Sequence, residues 1–172
     1  MSHRLSTAIT LGDYASSILW QTKNFEREPF LQDVSIEERS HIGVEPMLLA
    51  LAMEFALKAW FVFDHDDPKV KKTHNLLKLF KALLPESQAR LEVKFKEVVL
   101  PICGPGWFVD YNLSDILAQH ANAFVEWRYI HEKREGPVGF DQSTFTATLE
   151  MILTEFKTRY RTERYEPLFK PN

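Results

Sequence analysis

The segment Met47–Phe63, MLLALAMEFALKAWFVF, constrains this chain more than any other. Wound as a helix it is apolar nearly all round, interrupted only by Glu54 and Lys58. Such a helix has no face to give to water and must be surrounded. A bilayer or a set of other helices could surround it. A membrane span needs ~20 residues with few charges. This run has 17 residues and two charges, and a charge at mid-membrane costs ~2.5–3.5 kcal/mol on insertion scales. The segment therefore reads as the central helix of a bundle, with no membrane contact expected. The rest of the chain can supply the surroundings. At 172 residues, 45% hydrophobic and 13% aromatic, it suffices for one domain with its own core.

Six helical segments follow from the periodicity. The first covers about Leu5–Asn24, with Leu5, Ile9, Tyr14, Ile18 and Leu19 at helical spacing. A polar connector, Glu26–Ser40, contains Ser35-Ile-Glu-Glu38, which has the capping-box form of a short helix start. The second covers about Glu45–Asp64 and ends in Asp64-His-Asp-Asp-Pro68. The third, about Val70–Leu84, carries Leu76, Leu77, Phe80 and Leu83 on one face and stops at Pro85. The fourth, about Glu86–Leu100, offers Leu91, Phe95, Val98 and Val99. Pro101–Gly106 is a break, after which Trp107, Phe108 and Tyr111 are expected to pack down. The fifth runs about Leu113–Glu132, and Gly136-Pro-Val-Gly139 separates it from the sixth, about Gln142–Glu166. Asp141 suits an N-cap, and Lys157, Arg159, Arg161 and Arg164 suit a helix C-terminus. Thr144, Phe145, Thr146 and Thr148 favour strand locally, but the pattern Phe145, Leu149, Ile152, Leu153, Phe156 outweighs them. The expected fold is all-α, an up-and-down bundle of five to six helices around a four-helix core. The N-terminal helix and connector occupy 1–44, the core 45–132 and the long C-terminal helix 140–166.

A net charge of −3 gives no bulk attraction to nucleic acid or anionic lipid, while leaving room for a local basic patch. The single cysteine, Cys103, rules out an internal disulfide, and a cytoplasmic location is expected. The N-terminal MSHRLSTAIT lacks the apolar core of a signal peptide. No HExxH, GxSxG, CxxC or dinucleotide fingerprint occurs, and Gly104-Pro-Gly106 is too short for a phosphate loop. Cys103 has no base beside it in sequence. Neither cofactor nor metal is expected.

Polar residues in apolar positions are the candidates for chemistry. On the fifth helix Leu113, Ile116, Leu117, His120, Phe124, Trp127 and His131 share a face, with Arg128 at its edge. His120 and His131 are either satisfied structural histidines or a pH-sensing or catalytic pair. At about 16 Å apart along the axis they cannot share a metal. Glu54 and Lys58 have the favourable i,i+4 order, and a buried carboxylate there calls for a further cation, for which Arg128 is the expected long-range partner. Their contact reads as a register-fixing ion network or as the lining of a pocket. His74 caps the third helix, joins that cluster, or lies half-exposed beside a basic turn. The aromatic residues Trp60, Trp107, Phe108, Phe124 and Trp127 are plain core or the walls of a small-ligand site.

Glu54-Phe-Ala-Leu-Lys58-Ala, then Lys72-Thr-His-Asn-Leu-Leu-Lys-Leu-Phe80, then Ala123-Phe-Val-Glu-Trp-Arg-Tyr129 together resemble the HEPN superfamily of helical-bundle domains over about Glu45–Glu132. The resemblance implies a four-helix core, homodimers, and a place in toxin–antitoxin or defence systems. Members act as metal-independent ribonucleases, or as non-catalytic partners of an antitoxin or a nucleotidyltransferase. It extends the polar cluster to Glu126, Trp127 and Tyr129. Catalytic members carry Arg, four to six residues, then His. Here Arg128-Tyr-Ile-His131 has two between. A non-catalytic interaction or dimerisation domain is therefore the favoured expectation. The alternative is a divergent ribonuclease, with His131 or His120 as acid or base on a ribose 2′-hydroxyl and Arg128 on the phosphorane. A small-ligand-binding bundle is the third reading.

Overall fold

In a computed structural model, residues 3–24, 44–67, 69–103, 111–130 and 139–165 are described. They form α1 (His3–Lys23), α2 (Val44–His65), α3 (Leu76–Phe80), α4 (Pro85–Lys94), α5 (Leu113–Gln119), α6 (Ala123–Arg128) and α7 (Gln142–Tyr165). No strand occurs among them, and the fold is an all-α helical bundle. The short helix expected at Ser35, the packing of Trp107 and Phe108, and His131 lie outside the described residues, as do the side chains of Cys103, Arg161 and Arg164.

The apolar run lies inside α2, which packs against α1, α3, α6 and α7. By length and composition α2 could cross a bilayer, yet 61% of its most apolar window is buried within the bundle. Leu49, Ala52, Met53, Ala56, Leu57, Ala59, Trp60 and Val62 are all sealed. Each large side chain so buried contributes about 1.5–3 kcal/mol. The helix ends where Asp66 turns to a φ of 48°, a left-handed conformation that aspartate tolerates better than most residues.

The inner face of α1 follows the expected one at Ile18 and Leu19 but departs from it at Tyr14. Ala8, Ala15 and Leu19 are buried, while Tyr14 is exposed and lies beside Phe55 at 6.2 Å between ring centroids. Gly12 explains the choice. A Cβ there would stand 2.9 Å from Phe156 Cε1, so small residues let α1 settle against α7.

The third helix is shorter than its periodicity suggested. Residues 69–75 run without regular structure, and Asn75 caps α3 by accepting from the Lys78 N–H at 2.9 Å. On α4 the helix widens into a π turn over Phe95–Val99, followed by a 3-10 turn over Leu100–Cys103. The wider turn keeps Leu91, Phe95 and Val99 on one buried face and turns Val98 out to 47% exposure, against expectation.

The expected helix 113–132 is broken. α5 ends at Gln119, residues 120–122 form a turn, and α6 starts at Ala123. The break frees the Ala121 carbonyl, which accepts the N–H of Leu76 at 2.9 Å. Asn112 and Asp115 form a capping box at the start of α5, and Glu92 of α4 accepts the Leu113 and Ser114 N–H groups at 2.8 and 3.2 Å. Asp141 caps α7 as expected, accepting from the Thr144 N–H at 3.1 Å. The threonines of α7 do not turn it to strand, because Thr148 donates back to the Thr144 carbonyl and both are buried.

Candidate functional site

Glu54 is the polar centre of the bundle. Its side chain is 3% exposed, and its two oxygens have separate partners. Lys58 Nζ donates to Oε1 at 2.5 Å, as the i,i+4 spacing predicts. His74 Nδ1 lies 2.8 Å from Oε2 and, facing a carboxylate, is the donor. The irregular segment before α3 brings His74 there. Thr73 Oγ1 accepts the Asn75 N–H, the Asn75 side chain donates to Asn122 Oδ1 at 3.0 Å, and the Leu76 N–H is held by Ala121. The imidazole lies against the Phe124 ring at 4.9 Å and 33°. One carboxylate therefore ties α2 to the approach of α3, and through Phe124 to α6.

Arg128 is not part of this centre, contrary to expectation. It is exposed, with its guanidinium 5.4 Å from the ring centroid of its neighbour Tyr129. The register of α6 accounts for this. Ala123 and Trp127 face inward one turn apart and pack with Ala50, which leaves Val125, Arg128 and Tyr129 on the outer side. Trp127 meets Phe140 edge-on at 6.2 Å, and Glu126 is half-buried.

His120 is sealed, at 2% exposure, with ring centroids 4.7 Å from Phe140 and 5.3 Å from Phe145. Its Nε2 is buried with no hydrogen-bond partner among the described residues. Burial lowers its pKa below the usual histidine range, against a weaker opposite pull from Asp141 and Glu126. Asp141 is itself disfavoured as a charge by burial, but hydrogen bonds from Thr144 and Ser143 outweigh this and hold its pKa low. The ring is closed off among phenylalanines and away from solvent. The structure thus joins Glu54, Lys58 and His74, and sets Arg128 and His120 apart from them and from one another.

The described members of the expected aromatic site, Trp60, Phe124 and Trp127, do not fall in one cluster. Trp60 belongs to the main core, edge-on to Phe156 and donating from Nε1 to the Ile152 carbonyl at 3.2 Å, whereas Phe124 and Trp127 belong to a second cluster.

Sequence reasoning missed a second network at the far end of α2. The Asp64 side chain, fully buried, accepts the Leu84 N–H at 3.0 Å and the Ser87 hydroxyl at 2.7 Å. Arg159 donates to the same hydroxyl at 2.8 Å and lies over the rings of Trp60 and Phe63. In the sequence Asp64 opens a polar turn. Its neighbours Phe61, Val62 and Phe63 were the one signal that it still belonged to the apolar helix.

Beside His74, an open concavity of about 560 Å³ is lined by Lys71, Lys72, Thr73, Lys78 and Lys81. All four lysines are exposed, and none has a carboxylate within 4.0 Å among the described residues. The described residues bring together no group of three or more metal-ligating side chains. No family model, curated protein or solved structure matches the chain.

Proposed function

We propose that this chain is a non-catalytic interaction module of HEPN-like type that works by binding a partner, with self-association as its ground state. The placement of Arg128 and His120 carries this reading, His131 lying outside the described residues. Arg128 stands on the outer side of α6, and His120 is closed inside the bundle without a partner for its Nε2. The polar residues that do converge spend their hydrogen bonds on each other: Glu54 on Lys58 and His74, Asp64 on Leu84 and Ser87. Such networks fix helix register. The outer side of α6 has the composition of a contact surface, with Arg128 over Tyr129 and Val125 beside them, Tyr129 being 42% exposed. Tyrosine and arginine are the residue types that dominate interface energetics.

The reading is tested on purified full chain with an end-labelled single-stranded RNA and by sedimentation. The RNA should remain intact over hours. Arg128→Ala should change stability by less than ~0.5 kcal/mol, as for an exposed residue outside any network. Arg128→Glu combined with Tyr129→Ser should shift the sedimenting species toward monomer. RNA cleavage by the wild-type chain that Arg128→Ala abolishes would sink the non-catalytic reading.

A further inference from the structure

His65, His74 and His120 present their ring nitrogens in three different ways. His120 is sealed. His65 is exposed, but its Nε2 stands 2.9 Å from the Ala82 carbonyl oxygen and is the donor there. The lone pair of the neutral ring is then on Nδ1. His74 has the reverse arrangement. Its Nδ1–H is committed to Glu54 Oε2 at 2.8 Å, which puts the lone pair of the neutral ring on Nε2. The side chain is 53% exposed, and Nε2 has no hydrogen-bond partner among the described residues.

An imidazole held in one tautomer by a carboxylate is the form in which histidine attacks an electrophile. The carboxylate fixes the ring and offsets the positive charge that the ring takes on when Nε2 forms a bond. Glu54 can do both. Its side chain is 3% exposed, so little water screens it, and Lys58 anchors its other oxygen. The ring is further held against Phe124, and the backbone on either side by Thr73 and by the Leu76 N–H on the Ala121 carbonyl.

The charge of the surrounding segment selects the electrophile. From Pro68 to Pro85 the chain carries Lys69, Lys71, Lys72, Lys78 and Lys81 and no acidic residue, although its net charge is −3. Four of these lysines line one concavity with Thr73, the residue before His74. An acyl group on Nε2 is uncharged and gains nothing from this field. A phosphoryl group brings a charge of about −2 into it. We infer that His74 accepts a phosphoryl group on Nε2 from a donor that holds it on nitrogen or on a carboxylate. The Nε2 lone pair forms the N–P bond. The bond from phosphorus to the donor atom breaks, and its electron pair leaves with an amine already carrying its proton, or with a carboxylate. The ring keeps its proton on Nδ1 and becomes a cation facing Glu54. The transfer is stoichiometric and stands independently of the interaction reading.

The test treats the full chain, native and in urea, with phosphoramidate and separately with acetyl phosphate at neutral pH. Tandem mass spectrometry under alkaline conditions, which preserve the N–P bond, assigns the residue, and phosphorus NMR assigns the nitrogen. In the native chain at least one donor should label His74 on Nε2 severalfold faster than His65, and the donor that does so identifies the source. In urea the two histidines should label alike. Glu54→Gln should slow labelling of His74 about tenfold, the difference between a charged and a neutral acceptor, and leave His65 unchanged. Circular dichroism checks that this variant folds. If it does not, the native and urea rates of the wild type decide alone. Equal labelling of His74 and His65 in the native chain would overturn the inference. So would labelling of His74 by neither donor, an adduct on its Nδ1, or a rate that a folded Glu54→Gln variant leaves unchanged.

Discussion

Glu54 and His120 lie at the same depth in the bundle, each 2% exposed, and the surrounding helices treat them in opposite ways. Glu54 has a cation or potential cation on each oxygen. His120 has two phenylalanine rings and an Nε2 with nothing to bond among the described residues. The difference follows from charge. A carboxylate cannot be buried unpaired except at a cost of several kcal/mol. An imidazole can stay neutral, and one unsatisfied nitrogen costs only about 1–3 kcal/mol. A polar residue inside a helical bundle is therefore poor evidence of function until its partners are counted.

The largest effect expected from this contrast is at Glu54. Glu54→Leu strands Lys58 and leaves His74 without its acceptor. We expect a loss of about 3 kcal/mol, at the low end for a broken buried pair because both partners reach solvent. For a chain of this size that lowers the melting temperature by roughly 6–12 °C. Adding Lys58→Met should recover at least half of the loss, since the stranded charge goes with it. Urea unfolding followed by circular dichroism measures both. A loss below 1 kcal/mol for the single variant would remove Glu54 from the structural side of the comparison.

Asp64→Asn comes next. The carboxylate holds the Leu84 N–H and the Ser87 hydroxyl, with Arg159 at 3.7 Å. The amide keeps one acceptor oxygen, so the expected cost is about 2 kcal/mol. Asp64 and Glu54 are about 15 Å apart along α2. Their losses should add in the double variant to within ~0.5 kcal/mol, because the two networks share no partner. A larger coupling energy would mean that α2 transmits strain between its ends.

Sequence made one side of this contrast far more legible than the other. The apolar run placed α2 in the centre, and the i,i+4 spacing predicted Glu54 with Lys58. The third member, His74, was named as a candidate but not as the partner. Its arrival depends on a sequence separation of 20 residues from Glu54 and on the fold of the segment before α3. Arg128 takes that role in the sequence as a cation at the edge of the apolar face, and the register of α6 turns it outward. The period of Leu113, Ile116, Leu117, His120, Phe124 and Trp127 runs unbroken across residues 120–122, so it cannot show a break that preserves phase. What makes the break favourable is tertiary, the Leu76 N–H on the freed Ala121 carbonyl. The same limit hid the π turn of α4, where a spacing of four from Leu91 to Phe95 to Val99 was the available hint. It also hid the lysine concavity. Lys71 and Lys72 were visible as a basic turn, whereas Lys78 and Lys81 join them only once α3 starts at Leu76.

The smallest effect, and the sharpest in sign, is at His120. Its folded pKa is lowered from the ordinary 6.5 because burial disfavours the charged ring, with Asp141 and Glu126 opposing. In the unfolded chain the ring takes up a proton as pH falls through 6.5, while the folded protein resists doing so. The unfolded state then binds more protons, and stability falls with falling pH. The loss begins near pH 6.5 and ends only below the depressed folded value. His120→Leu removes this term and the unsatisfied Nε2 together, at the expense of the ring contacts with Phe140 and Phe145. Ring contacts of this kind are worth about 0.5–1.5 kcal/mol, against the 1–3 kcal/mol of an unsatisfied buried polar atom. The variant should gain on the order of 1 kcal/mol at pH 7.5 and show a shallower decline between pH 7 and 5.5. Paired thermal melts at the two pH values, wild type against variant, read both quantities. If the variant is less stable and its acid decline is unchanged, the imidazole has a partner after all, and His120 joins Glu54 on the satisfied side.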